Sequence, residues 1–208
     1  MRKNLNYDQF LLKVKNIVVF ASGYGSNFQA TVDAINKGEI KARITGLITN
    51  KSEIHVIERA KRNGIPNIVI DPRRFSEPDQ YAQVMLKALS KWEPNIIVLA
   101  GYLLKIPPLV VDAYAGKIIN IHPSLLPKYS GKGYYGLYVH QAVLDNNEKE
   151  TGCTVHIVDN IYDNGPILAQ AKVHVFENDT AQDISKRVRA KELELLPKVI
   201  SSLINEPV

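Results

Sequence analysis

The chain carries a single cysteine, Cys153, among 208 residues. One thiol closes no internal disulfide, and without a second cysteine or a clustered histidine beside it completes no zinc site. A disulfide scaffold and a metal module are excluded, and a reducing cytoplasm is expected. Long hydrophobic runs are missing as well. The longest uncharged apolar run in mid-chain, 96–104, is far below the ~20 residues that span a bilayer, so no membrane partner is expected. Lys13 and Lys15 stand where a signal core would need apolar residues, and no secretory leader is expected. Excess charge is scarce: 26 Lys and Arg against 21 Asp and Glu leave +5. That balance suits small anions as well as nucleic acid and decides between neither. The densest basic stretch, 186–191, has no interleaved aromatics and reads as one solvated helix face rather than a nucleic-acid surface. Internal repeats, low-complexity linkers and the G-x-x-x-x-G-K-[ST] phosphate loop are absent too.

What remains is ordinary globular material, 45% apolar and 23% charged with 12 Gly and 11 Pro. At about 150 residues per domain the simplest division is one large domain, 16–208, behind an N-terminal extension, 1–15. Residues 16–20 form a β-branched run that ends in a glycine turn, after which Phe28, Val32 and Ile35 recur at helical spacing and Gly38 stops the helix. A strand at 43–49 precedes Asn50 to Glu53, which read as the capped start of a helix through Arg62. Further strands are predicted at 67–70, 95–100, 117–121, 154–158 and 167–175, and helices at 79–92, 137–146 and 181–203. The alternation implies an α/β fold: a single doubly wound, mostly parallel sheet with helices on both faces, and ligands at the carboxyl ends of its strands.

Three segments carry chemistry. The turn Gly23-Tyr24-Gly25-Ser26-Asn27 lets backbone approach an anion at a helix N-terminus. It has Phe28 where the third glycine of a dinucleotide fingerprint would stand, and the next strand ends in Thr49-Asn50 without the acidic ribose ligand, so a phosphate monoester is the sharper expectation and a ligand-free tight turn the plainer one. In Asn120-Ile121-His122-Pro123, period two puts an amide and an imidazole on one strand face, where both can donate to an oxygen gaining negative charge. The loop from Asp159 to Asp163 is either Asx-turn chemistry or the source of a carboxylate that lies beside His122 and raises its pKa above the free value of about 6.5. His55, His140, His156 and His174 show no metal-ligand spacing and read as structural or surface groups, with His156 open to a supporting role.

Together the segments 21–30, 99–102, 120–127 and 163–166 resemble the folate-dependent glycinamide ribonucleotide formyltransferases of purine biosynthesis, from about residue 16 to 203. The resemblance implies Asn120, His122 and Asp163 as the catalytic set and Gly25, Ser26 and Asn27 as the phosphate loop. It implies Glu192 on the substrate ribose; Arg189, three residues earlier on the same helix face, is placed to assist the phosphate. For the folate it implies an apolar slot with backbone donors at Tyr102, Leu103, Leu104, Lys105 and Ile106, together with the 159–163 loop and Asn120. The cosubstrate would be 10-formyltetrahydrofolate and the acceptor glycinamide ribonucleotide, with no metal and no nucleic acid, in a monomer or homodimer. Two departures stand out: an apparent insertion at Lys132 to Gly136, and the absence of Arg from Leu103-Leu104-Lys105. Formyltransferases acting on methionyl-tRNA or an amino-sugar nucleotide, a formyl-folate hydrolase and a noncatalytic nucleotide-binding module remain as alternative readings.

Overall fold

The computed structural model describes residues 14–205. Seven strands form one sheet in the order β3-β2-β1-β4-β5-β6-β7. The chain runs β1 (Lys15–Phe20), α1 (Ser26–Asn36), β2 (Ala42–Thr49), α2 (His55–Arg62), β3 (Asn67–Val69), α3 (Pro78–Trp92) and β4 (Ile96–Leu99). It continues through α4 (Pro108–Ala113), β5 (Ile118–His122), α5 (Leu137–Asp145), β6 (Glu150–Ile157), β7 (Ile167–His174) and α6 (Ala181–Asn205). The expected extension, 1–15, lies outside the described residues except for its last two, and Lys15 already opens β1.

The central strands are apolar on both faces because both faces are covered. Along β1, Ile17 and Val19 join a cluster with Phe28, Leu47 and Leu196, while Val18 and Phe20 join a second with Ile48, Met85 and Leu89. A third cluster, around Val143, Cys153, Ile184 and Val188, ties α5 and α6 to the β6 and β7 strands. In β5, Ile119 and Ile121 pack into the first cluster, so Asn120 and His122 face the other side of the sheet.

Strands β1 to β5 are parallel, as the alternation implies, but β6 runs antiparallel to β5 and β7 antiparallel to β6. No helix intervenes between β6 and β7, so a hairpin replaces the crossover that parallel pairing needs. Helix α2 starts at His55 with no side-chain cap; Asn50 is buried and accepts the Ser22 hydroxyl proton at 2.7 Å, so its side chain is spent on tying two loops together. The six-residue α4, opened by Pro108, escapes sequence reading because it is too short to show a period. The 186–191 stretch is not one solvated face: Val188 is core, and Arg187 bonds the His174 carbonyl and the Asp179 carboxylate. Among the described residues no helix is long and apolar enough to cross a membrane.

Gly46 in β2 lies flat against the Trp92 indole at the end of α3, and an added Cβ would overlap the ring. Gly46→Ala is expected to lower the unfolding free energy by about 1–3 kcal/mol. An unchanged urea midpoint would show that the α3 end is free to move aside.

Candidate active site

A cavity of about 490 Å³ opens where the loops after β1, β4 and β5 meet. Its walls are segments 23–27, 99–106, 120–123 and 131–136, the 158–163 loop, and Arg189 and Glu192 from α6. Nearly every residue singled out in the sequence is therefore in one place.

The glycine turn delivers α1 to this cavity with a bare N-terminus. Gly25 is the N-cap, no side chain caps the helix, and its first turn holds no acidic residue, so its positive end is uncompensated. Glycine at 25 is required twice over: its φ is 77°, and a Cβ would sit 2.7 Å from Val56 Cβ. The packing of α2, more than access for a ligand, demands it. Asn27 is buried, donates from Nδ2 to Glu192 Oε2 at 3.0 Å, and leaves Oδ1 without a partner among the described residues. Burial pushes the Glu192 carboxyl up to about 7, against the Asn27 hydrogen bond and the Arg189 charge, which act to lower it.

On the face of β5 turned toward the cavity, four polar side chains assemble. Asn120 stands opposite His156 in the β5–β6 register, and its Nδ2 lies 3.1 Å from His156 Nε2 and 3.4 Å from Asp163 Oδ1. His156 directs Nδ1 at the Ile157 carbonyl, 2.8 Å away, which makes Nδ1 the donor and Nε2 the acceptor of the Asn120 amide. His122 Nδ1 is 3.6 Å from Asp163 Oδ1, and its Nε2 donates to the Tyr129 carbonyl at 2.8 Å. The amide of Gly131 donates to Asp163 Oδ2 at 2.9 Å.

Asp163 follows the carboxyl end of β6, but β6 runs antiparallel to β5, so that end lies beside Ile119 and the loop doubles back over the sheet face to bring the carboxylate to His122. Asp159 holds that loop, accepting from the Ile161 amide at 2.8 Å and from Asn164 at 2.9 Å, and Asp163 sits at φ 51°, a left-handed conformation that Asp tolerates. The expected rise in the His122 pKa is reversed. Burial lowers it, and the Asp163 charge recovers only part of the loss. Burial alone would raise Asp163, but its contacts with His156, His122 and the Gly131 amide prevail and hold the carboxyl below its ordinary value.

The expected folate segment divides in two. Tyr102 turns its ring into the core, edge-on to Phe20 with its hydroxyl 2.9 Å from that of Tyr81, and Ile106 is buried in the second cluster. Their side chains serve the core, so a charge at Ile106 would test folding. Leu103 is exposed and Leu104 half-buried, while the Lys105 ammonium lies over the Tyr162 ring at 5.4 Å. Sequence reasoning missed the backbone of Tyr129 and Gly131, which carries no residue-type signal, and the 132–136 segment as a cavity wall. His140 is buried beside the cavity with Nδ1 unpartnered, and its pKa falls to about 4, chiefly through burial. Among the described residues no group of three or more His, Cys, Asp or Glu side chains is placed to hold a metal ion.

The family model described as formyl transferase matches residues 15–200. The chain belongs to that family. It is 39% identical over 186 residues to the phosphoribosylglycinamide formyltransferase of Escherichia coli K12, covering 89% of this chain and 85% of the relative. It is 41% identical over 201 residues to the chloroplastic phosphoribosylglycinamide formyltransferase of Vigna unguiculata, covering 96% of this chain and 64% of that longer protein. The crystal structure of glycinamide ribonucleotide transformylase 1 from Geobacillus kaustophilus superposes with a TM-score of 0.86 at 38% identity, over 92% of this chain and all of that one (100%). The formyl transferase fold expected from the sequence is therefore the fold observed.

In this formyl transferase, the folded state holds a proton on Glu192 that the unfolded chain releases near 4.5, so raising the pH from there to about 7 weakens the fold. Glu192→Gln has no such proton to lose. The gain in unfolding free energy of Glu192→Gln over wild type should be larger above pH 7 than below 4.5; denaturation curves with equal differences at both ends would contradict the buried carboxyl.

Proposed function

We propose that the chain transfers the formyl group of 10-formyltetrahydrofolate to the amine of glycinamide ribonucleotide, giving N-formylglycinamide ribonucleotide and tetrahydrofolate in purine biosynthesis. The observation that carries this reading is that Asn120, His122 and Asp163 share one cavity with the uncapped start of α1. The bare helix end suits a phosphate ester, with Ser26 and Asn27 as donors. Glu192 and the unpartnered Asn27 Oδ1 suit the hydroxyls of a ribose, and Arg189 adds a cation at the phosphate end. The walls at exposed Leu103 and half-buried Leu104, with the backbone of 101–106 and 159–163, suit the apolar face and polar edge of a pteridine.

His122 works through Nδ1, since Nε2 is engaged by the Tyr129 carbonyl. Burial keeps the ring neutral before the amine attacks, so Nδ1 offers a lone pair and takes the amine proton as the new C–N bond forms. The imidazolium so made is stabilised by Asp163. With the Asn120 amide it then donates to the formyl oxygen while that oxygen is negative. As the oxygen's electron pair re-forms the carbonyl, the bond to the folate nitrogen breaks, and His122 returns its proton to the leaving nitrogen. No covalent intermediate with the protein is required. The reading includes a reducing cytoplasm, for which the one buried thiol, Cys153, is the support.

His122→Asn should lower turnover by about 100-fold or more while calorimetry finds nucleotide affinity nearly unchanged. Asp163→Asn should also lower turnover, and should drop the His122 pKa further in an NMR titration, because the one charge that raises it is gone. Turnover within a few-fold of wild type in both variants would sink these roles. The reaction itself is tested by offering formyl-folate with glycinamide ribonucleotide, water, a sugar nucleotide or charged tRNA. Formyl transfer to any of the others in preference would overturn the acceptor.

A further inference from the structure

A carbonyl group decides which nitrogen of His122 is free to react. It can only accept, so with Tyr129 O 2.8 Å from Nε2 that nitrogen keeps its proton whatever the charge of the ring. Nδ1 is left as the nitrogen that titrates into the cavity. Pointing that carbonyl at the imidazole is not free of strain. Tyr129 sits at φ 55°, in the left-handed region that a bulky residue rarely adopts unless its surroundings impose it.

The surroundings are a chain of contacts leading away from the cavity. The Tyr129 phenol donates to Glu148 Oε1 at 3.0 Å, and its ring packs on the third cluster and stands edge-on to Tyr134 at 6.0 Å. The Lys128 ammonium reaches the same carboxylate oxygen at 2.7 Å, and the Ser124 hydroxyl donates to the Lys128 carbonyl at 2.6 Å. Glu148 is itself fixed just past α5, where its amide donates to the Val143 carbonyl at 3.1 Å. Its carboxyl is held below the ordinary value by the Lys128 and Tyr129 hydrogen bonds and is a stable acceptor.

We propose that Glu148 and Tyr129 are positioning residues for formyl transfer: the Glu148 carboxylate anchors the Tyr129 phenol, and the Tyr129 carbonyl thereby holds the Nε2 proton of His122 and reserves Nδ1 for the reaction. The catalytic consequence rests on the proposed function, whereas the state of the ring does not. The test has two readouts. In the unliganded protein, ¹⁵N chemical shifts of the imidazole report the tautomer: wild type should hold the neutral ring as Nε2–H, while Tyr129→Phe, which keeps the packed ring, and Glu148→Ala should give a mixture with Nδ1–H. Glu148→Gln, whose amide oxygen still accepts from the phenol, should retain the wild-type tautomer. In the assay, Tyr129→Phe and Glu148→Ala should each lower kcat about 10-fold with KM for both substrates little changed, and the double variant should be no worse than either single. Glu148→Gln should restore most of kcat. An Nδ1–H tautomer in wild type, or an Nε2–H tautomer unaltered by Tyr129→Phe, overturns the proposal even where Glu148→Ala fails to fold. Shifted tautomers in a protein that transfers no formyl group would uphold the positioning and overturn the reaction instead.

Discussion

The structure depends on three adjacent central strands, buried on both faces, whose backbone groups can be satisfied only by neighbouring strands of the sheet. β1, β4 and β5 are locked in parallel register, with Phe20 beside Leu99 and Leu99 beside Asn120, so their carboxyl ends come level at one edge. Every backbone group inside that layer is used in the ladder, and the chain is released only where the strands stop. The connections then cross one another: the Ser22 amide donates to the Gly101 carbonyl at 3.1 Å, and the Leu103 amide to the Ser22 hydroxyl at 3.0 Å. The cavity is the space these crossings leave. Its walls are held at both ends by rigid strands, which fixes polar side chains on loops nearly as firmly as on the sheet itself.

Polarity on an otherwise apolar sheet is the price of that placement. Asn120, His122, His156 and Asp163 occupy a face that elsewhere packs Val18, Phe20 and Leu99 under helices. Two loops cover them instead of a helix, and backbone groups supply the missing partners: Tyr129 O and Gly131 N from the loop after β5, and Ile157 O from the end of β6. Hydrogen bonds replace the water these groups have lost, but they replace it unequally. Asp163 gains enough donors to stay ionised, while His122 gains one fixed acceptor and a carboxylate just beyond hydrogen-bond reach, so burial governs it. A neutral imidazole next to an ionised carboxylate is an asymmetric pair, suited to receiving a proton and then stabilising the charge it creates.

Much of this was legible because its signals are local. Apolar runs ending in Gly-rich or Asn-x-His-Pro segments mark the central strands and their ends, and period two puts Asn120 and His122 on one face without any knowledge of the sheet. What escaped depends on partners far away in sequence. The reversal at β6 follows from how Glu150–Ile157 meets β5, and neither strand alone encodes it. The direction of the His122 shift depends on how completely two loops close over it, and the need for glycine at 25 on where α2 brings Val56. The resemblance placed Tyr102 among the folate contacts, but the hydroxyl of Tyr81 and the ring of Phe20 take its side chain inward. Backbone donors and acceptors, which support the imidazole and the carboxylate, leave no trace in residue types at all.

The bare N-terminus of α1 has a consequence for the stability of the fold as well as for its chemistry. A helix that begins on Gly25 without a capping side chain, and without an acidic first turn, leaves amides and a positive dipole end open. An anion bound there supplies what the sequence withholds, and at a hundred times its dissociation constant it adds about 2.7 kcal/mol to the stability of the folded state. A ligand seated there would be part of the fold as well as of the chemistry. Emptying such a site would lower the stability of the folded state by the same margin.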